Sequence, residues 1–171
     1  RAEELFGRRQ SSLLCYTPGT LADTPGRRVL ISEEDMPSAN AVMAANYQRL
    51  GLLLGRPQWR QRSDDMLRAV LPRLMDQPLP HASWGKLLLG QVHHWLEIAV
   101  VGEQAFAKTE EANRDFLGLH VCISDTEARP EYPLLAQRGQ PGRTLVYVCR
   151  DFACQHPVEE VRDIFTRLDY P

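Results

Sequence analysis

The chain changes its hydrophobic period at Leu96, and that change limits the folds open to it. Upstream, apolar side chains recur every three or four residues, which lines them along one side of a helix. Val42, Met43, Tyr47, Leu50, Leu53 and Leu54 make one stripe; Trp59, Met66, Leu67, Val70, Leu71, Leu74 and Met75 make another. Downstream, LEIAVVG (96–102) is a β-branched run ended by glycine, the pattern of a strand buried on both faces. The expected fold is therefore mixed α/β. A helical hairpin segment over 1–95 leads into a small three-stranded parallel α/β unit over 96–171.

Local signals set the boundaries. Ser38 is the natural N-cap of the first helix and Gly55 its end, while Pro57 suits the first position of the second. Pro72 lies inside that second pattern and predicts a kink or an early end near Leu71. Trp84, Leu87, Leu88, Val92 and Trp95 mark a third helix. Beyond Gly102, helical spacing runs from Ala105 to Leu117, LHVCIS (119–124) reads as a second buried strand and TLVYVC (144–149) as a third. Pro157 opens a final helix carrying Val158, Val161, Ile164, Phe165 and Leu168. Residues 11–32 hold two Pro-Gly steps and predict an irregular pair of strands or a long surface loop.

Composition narrows the function classes. A length of 171 residues suits one ordinary domain or two small ones, and 43% apolar with 25% charged residues is enough for a core. A net charge of −2 gives no electrostatic reason to expect nucleic acid as a partner. No apolar run approaches the roughly 20 residues that cross a bilayer, so no membrane partner is expected. The start at Arg1 and the absence of a secretory pattern in RAEELFGRRQ suggest a piece of a longer, cytoplasmic protein. Four cysteines, at 15, 122, 149 and 154, are too sparse for a secreted disulfide scaffold, and reduced, buried thiols are the default.

Few residues form a chemical constellation. Cys149 and Cys154, in VCRDFACQHP, lie where a strand gives way to a turn, so their thiols can approach across a tight loop. They are candidate redox or structural thiols, with Arg150 and the next helix N-terminus available to favour a thiolate. Adding His156 and Cys122 would make a zinc set, but CxxxxC is not a knuckle spacing, and no metal is expected. Neither is a cofactor: Gly102 at a strand-to-helix turn is a lone glycine, short of a dinucleotide loop. Glu33, Glu34 and Asp35 read as a solvated acidic turn leading into a helix. His93 and His94 are neighbours and would diverge on a helix, while Trp59, Trp84 and Trp95 fall on apolar stripes.

Three blocks carry a resemblance: PSANAVMAANYQRLGLLLGRPQWRQRSDDML from Pro37, LEIAVVG from Leu96, and TLVYVCRDFACQHPVEEV from Thr144. In order and content they resemble the C-terminal portion of the spermatogenesis-associated thioredoxin-like proteins, over about Leu13 to Leu168. That family has a thioredoxin-like domain, then an (α/α)6 toroid similar to N-acylglucosamine 2-epimerases and glycoside hydrolases, then a segment like this one. The resemblance implies that the helices here are the remnant of a toroid and that the partners are the upstream thioredoxin-like and toroid domains. A carbohydrate is an implied ligand of the parent. Where the family carries the acid of an R-x-K-E stretch this chain has Leu30, and its PS-x-N-S ends here in Ala41.

These residues and the resemblance together support three readings. The first is a noncatalytic C-terminal structural module of a larger, carbohydrate-enzyme-like protein. In the second, Ser38 and Asn40 are pocket residues that contribute to a sugar-binding, epimerase- or hydrolase-like site. In the third, Cys149 and Cys154 form a thiol–disulfide partner for the upstream thioredoxin-like domain. No residue is assigned a catalytic role by the first reading.

Overall fold

A computed structural model of the chain describes residues 1–21, 27–114 and 118–165. It divides into two compact units, one made of Arg1–Gly51 and Pro57–Val92, the other of Leu52–Arg56 and His93–Pro171. The division after Val92 sits just ahead of the change in period at Leu96.

In the first unit, α1 (Ala2–Phe6) is followed by a long irregular segment, and among the described residues of 11–32 there is no strand. Helix α2 (Ala39–Leu53) starts where the sequence places it, with Ser38 Oγ accepting from the backbone N–H of Ala41 at 3.4 Å. Gly55, at φ +59°, takes the left-handed conformation that ends the helical run. Helix α3 (Pro57–Asp76) passes through Pro72 instead of stopping near Leu71. The reason is burial: Met66, Leu67, Val70 and Leu74 hold the inner face, while Pro72 and Arg68 are exposed, so the lost hydrogen bond falls on the outer side of the helix. A 3-10 turn (Leu79–His81) then leads to α4 (Ala82–Val92). Trp84 is fully buried there and donates its indole N–H to the Ile31 carbonyl at 2.8 Å. The third helix is thus shorter than its apolar pattern predicts: Trp95 lies beyond it, after His94 turns the chain at φ +60°. Glu33 serves α4, not α2, since its carboxylate accepts from the Ser83 N–H in the helix's first turn.

The second unit holds a four-stranded sheet in the order β2-β1-β3-β4, made of β1 (Leu96–Val101), β2 (His120–Asp125), β3 (Leu145–Arg150) and β4 (Ala153–Cys154). β1 and β2 are parallel across α5 (Ala105–Ala112), with Leu96 opposite His120. The expectation of three parallel strands fails at β3, which runs antiparallel to β1 with Glu97 opposite Cys149. The link from β2 to β3 stays at the end of the sheet where β2 finishes: Gly139 packs on Val101, and Arg143–Thr144 on Gly102. A strand entering from that end must run back against β1. β2 is a half-buried edge, not a buried strand, and only Val121 is fully covered.

Alternation divides the sheet residues between two faces. Ile98, Val100, Val146 and Val148 share one face and form the core with Ala105, Ala112, Val161 and Ile164. Glu97, Ala99, Tyr147 and Cys149 share the other. The closing helix α6 (Arg162–Phe165) begins later than Pro157 because Val158 is still extended, exchanging both backbone hydrogen bonds with Val146. Leu168 and the Phe116–Leu117 end of the α5 pattern lie outside the described residues.

Ile98 sits at the centre of this core with no exposed surface. Ile98→Ala is expected to lower stability by about 2–5 kcal/mol in urea unfolding, whereas Val92→Ala, at an exposed position, changes it by less than about 0.5 kcal/mol.

Candidate functional site

Ser38 and Asn40 are both 4% exposed, and their polar atoms hold the irregular segment in place. The Asn40 amide accepts from Leu14 N–H at 2.8 Å and donates to the Leu14 and Leu30 carbonyls at 2.9 and 3.0 Å. Ser38 Oγ donates to the Leu30 carbonyl at 3.3 Å as well as capping α2. The amide stands in for a neighbouring strand, giving the segment its backbone partners without a ladder. The structure thus gives both residues anchoring contacts within the first unit.

Cys149 and Cys154 meet. They face each other across β3 and β4 with Cα atoms 3.9 Å apart and are joined in a disulfide. The connection is a two-residue hairpin turn, Asp151–Phe152, with φ +48° and +62°. Both values belong to the type I′ turn, whose twist matches the strands it joins. Glycine or asparagine usually fills such positions, and phenylalanine is unfavourable there. Two contacts hold the turn: Phe152 N–H donates to Glu97 Oε2 at 2.9 Å, and His94 Nδ1 lies 2.6 Å from Asp151 Oδ2. The turn places Cys149 and Cys154 at the non-hydrogen-bonded pair, since Gln155 N–H next donates to the Val148 carbonyl.

Arg138 completes the arrangement. Its guanidinium lies over the Tyr147 ring, 4.9 Å from the centroid, with Nη1 3.2 Å from Cys149 Sγ and Nη2 2.8 Å from Cys154 Sγ. Burial lowers its pKa, while the nearby Tyr147 and Glu97 act to raise it. Glu97 is 1% exposed on the central strand and shares the face of Cys149. A carboxylate so placed is costly unless hydrogen bonds and charge compensate it; the hairpin amide donates to Oε2 and Arg138 supplies positive charge nearby. Cys149 is itself buried while Cys154 is exposed, so the two sulfurs differ in access and share one cation.

The support expected from Arg150 and a helix N-terminus is absent from the site. Alternation turns Arg150 to the opposite face from Cys149, and α6 starts only at Arg162. Arg138, Glu97 and Tyr147 take their place. Neither the arginine nor the glutamate follows a motif: Arg138 comes from an irregular loop, and Glu97 interrupts an apolar strand, which is the one sign the sequence offers. The zinc set is not assembled, because Cys149 and Cys154 are spent on each other and Cys122 packs on the helix-covered face. Burial pushes the Cys122 thiol up to about 11.

A cleft of about 590 Å³ opens at the carboxyl ends of β1 and β2, lined in part by Gly102, Glu103, Thr126, Arg138, Arg143 and Glu159, so that Arg138 lies between it and the two sulfurs. Gly102, at φ +136°, lets the next loop approach: a Cβ there would lie 2.5 Å from the Arg143 carbonyl oxygen. Arg143 pairs with Glu159, whose backbone carbonyl also accepts from Lys108 Nζ at 2.7 Å. Lys108 and Arg143 thus brace the wall through Glu159. No family model, curated protein or solved structure matches this chain.

Asn40→Ala removes three hydrogen bonds and strands the buried Leu14 N–H, so a loss of about 2–4 kcal/mol is expected in urea unfolding. With native protein at neutral pH, Cys122 is expected to react with iodoacetamide roughly a hundredfold more slowly than an exposed, unperturbed thiol.

Proposed function

We propose that the chain is a structural module whose second unit presents a reversible thiol–disulfide pair, Cys149 and Cys154, to a thioredoxin-like partner. The supporting observation is the joined pair under Arg138, on a hairpin with one sulfur exposed. A guanidinium at both sulfurs favours thiolate over thiol, and thiolate is the species that forms and leaves in exchange. In the cytoplasmic setting proposed for this chain, disulfides are usually transient and serve catalysis or sensing. The resemblance to thioredoxin-like proteins adds a partner of the right chemistry, with the helices of the first unit as the proposed toroid remnant. The sugar-pocket reading has less support, since Ser38 and Asn40 spend their polar atoms on the backbone.

Thiols counted in denaturant without reductant test the pair directly: two are expected from oxidised protein and four after reduction. A redox titration then separates exchange from plain stapling. A midpoint above about −300 mV is expected for an exchanging pair, and one well below that value assigns the bond a structural role.

A further inference from the structure

The two sulfurs of the bridge are not equivalent, and their surroundings fix which one is attacked. Cys154 lies on the short outer strand β4 and is exposed. Cys149 lies on β3 beside the central strand and is 1% exposed, with Glu97 as its cross-strand neighbour. An incoming thiolate reaches only the outer sulfur. When a thiolate attacks a disulfide, the sulfur that is not attacked departs with the electron pair, and its departure is faster the better its negative charge is stabilised. Arg138 Nη1 stands 3.2 Å from the inner sulfur and Nη2 2.8 Å from the outer one, over the Tyr147 ring, so the cation reaches both and it is access that tells them apart.

We propose that Cys154 is the electrophilic sulfur and Cys149 the leaving sulfur in reduction by an external protein dithiol, with Arg138 holding the Cys149 thiolate. This rests on the reading of the pair as an exchanging one. In the first step the donor's thiolate forms a bond to Cys154 Sγ, the Cys149–Cys154 bond breaks, and its electron pair stays on Cys149 Sγ. In the second step the donor's other thiol, as thiolate, attacks its own sulfur in the mixed disulfide and releases Cys154 as a thiolate. Two electrons pass from the donor dithiol to the bridge, the donor ends as a disulfide, and the released thiolates take protons from solvent according to their pKa values. The hairpin carries the outer sulfur on its exposed strand while the inner one stays in the sheet, so the mixed disulfide forms at the surface.

Trypsin separates the two sulfurs, cutting after Arg143, Arg150 and Arg162 to give the peptides 144–150 and 151–162. The oxidised protein is mixed with excess reduced glutathione, quenched early with acid and N-ethylmaleimide, digested and weighed. The expected result is glutathione on the 151–162 peptide and maleimide on the 144–150 peptide. Glutathione on the 144–150 peptide, or equally on both, overturns the proposed order of attack and leaves reversible exchange standing. A bridge that glutathione does not open overturns both readings. The role of Arg138 is read from the pH dependence of iodoacetamide alkylation of Cys149 in a Cys154→Ser background, where the midpoint reports thiolate formation independently of access. Arg138→Gln is expected to raise that midpoint and slow glutathione reduction roughly tenfold, and Arg138→Lys to restore most of both. An unchanged midpoint in Arg138→Gln overturns the assignment of Arg138; should that variant fail to fold, the Arg138→Lys midpoint and the wild-type trapping pattern decide.

Discussion

Strand β1 is covered on both faces along its whole length, and every other part of the second unit is arranged around that requirement. A strand without water on either side needs backbone partners on both edges, which β2 and β3 supply, and apolar neighbours above and below. One face finds them in α5 and α6. The other face carries Glu97, and a carboxylate in that position compels the surroundings to bring it donors and positive charge. The hairpin amide of Phe152 donates to Oε2 and the nearby guanidinium of Arg138 supplies positive charge, and that guanidinium also lies against the two cysteines. The disulfide is thus tied to the most constrained strand in the unit.

The two units spend their polar side chains differently. In the first, Ser38, Asn40 and the Trp84 indole bond to backbone groups of Leu14, Leu30 and Ile31, supplying partners to a segment whose described residues form no strand, and Ser63 bonds to the Ala44 carbonyl of α2. Such contacts hold shape and leave little capacity for a ligand. In the second, Arg138 points its donors at sulfur atoms, which are weak acceptors while bridged and strong ones as thiolates. The arginine is therefore worth more to the reduced state than to the oxidised one, the property expected of a group that assists exchange.

Much of this architecture can be read from the residues in order. The α2 cap at Ser38, the glycine at 55, the proline opening α3 and the buried strand at 96–101 all rest on local chemistry, and all stand. What local pattern does not carry is direction. TLVYVC has the composition of a strand buried on both faces whichever way it runs; its antiparallel course follows from a loop that keeps to one end of the sheet through contacts at Gly102 and Gly139. The early end expected at Pro72 is not seen for a related reason, since tertiary burial of the neighbouring turns outweighs a single lost hydrogen bond on the outer side. Cys149 and Cys154 are visible as a spacing, but the turn that joins them uses aspartate and phenylalanine at positions where glycine would have announced a hairpin. Arg138 reaches the sulfurs from a loop 11 and 16 residues away in sequence, and no periodicity foretells that.

If the bridge is an exchanging pair attached to a sheet that stands without it, the two redox states differ locally. Amide hydrogen exchange, followed residue by residue in oxidised and reduced protein, tests this most directly. The β1 amides are expected to keep the same slow exchange in both states while those of 150–155 speed up on reduction. Loss of β1 protection on reduction would make the bridge a staple of the fold, and unchanged exchange in 150–155 would detach the hairpin from the chemistry assigned to it.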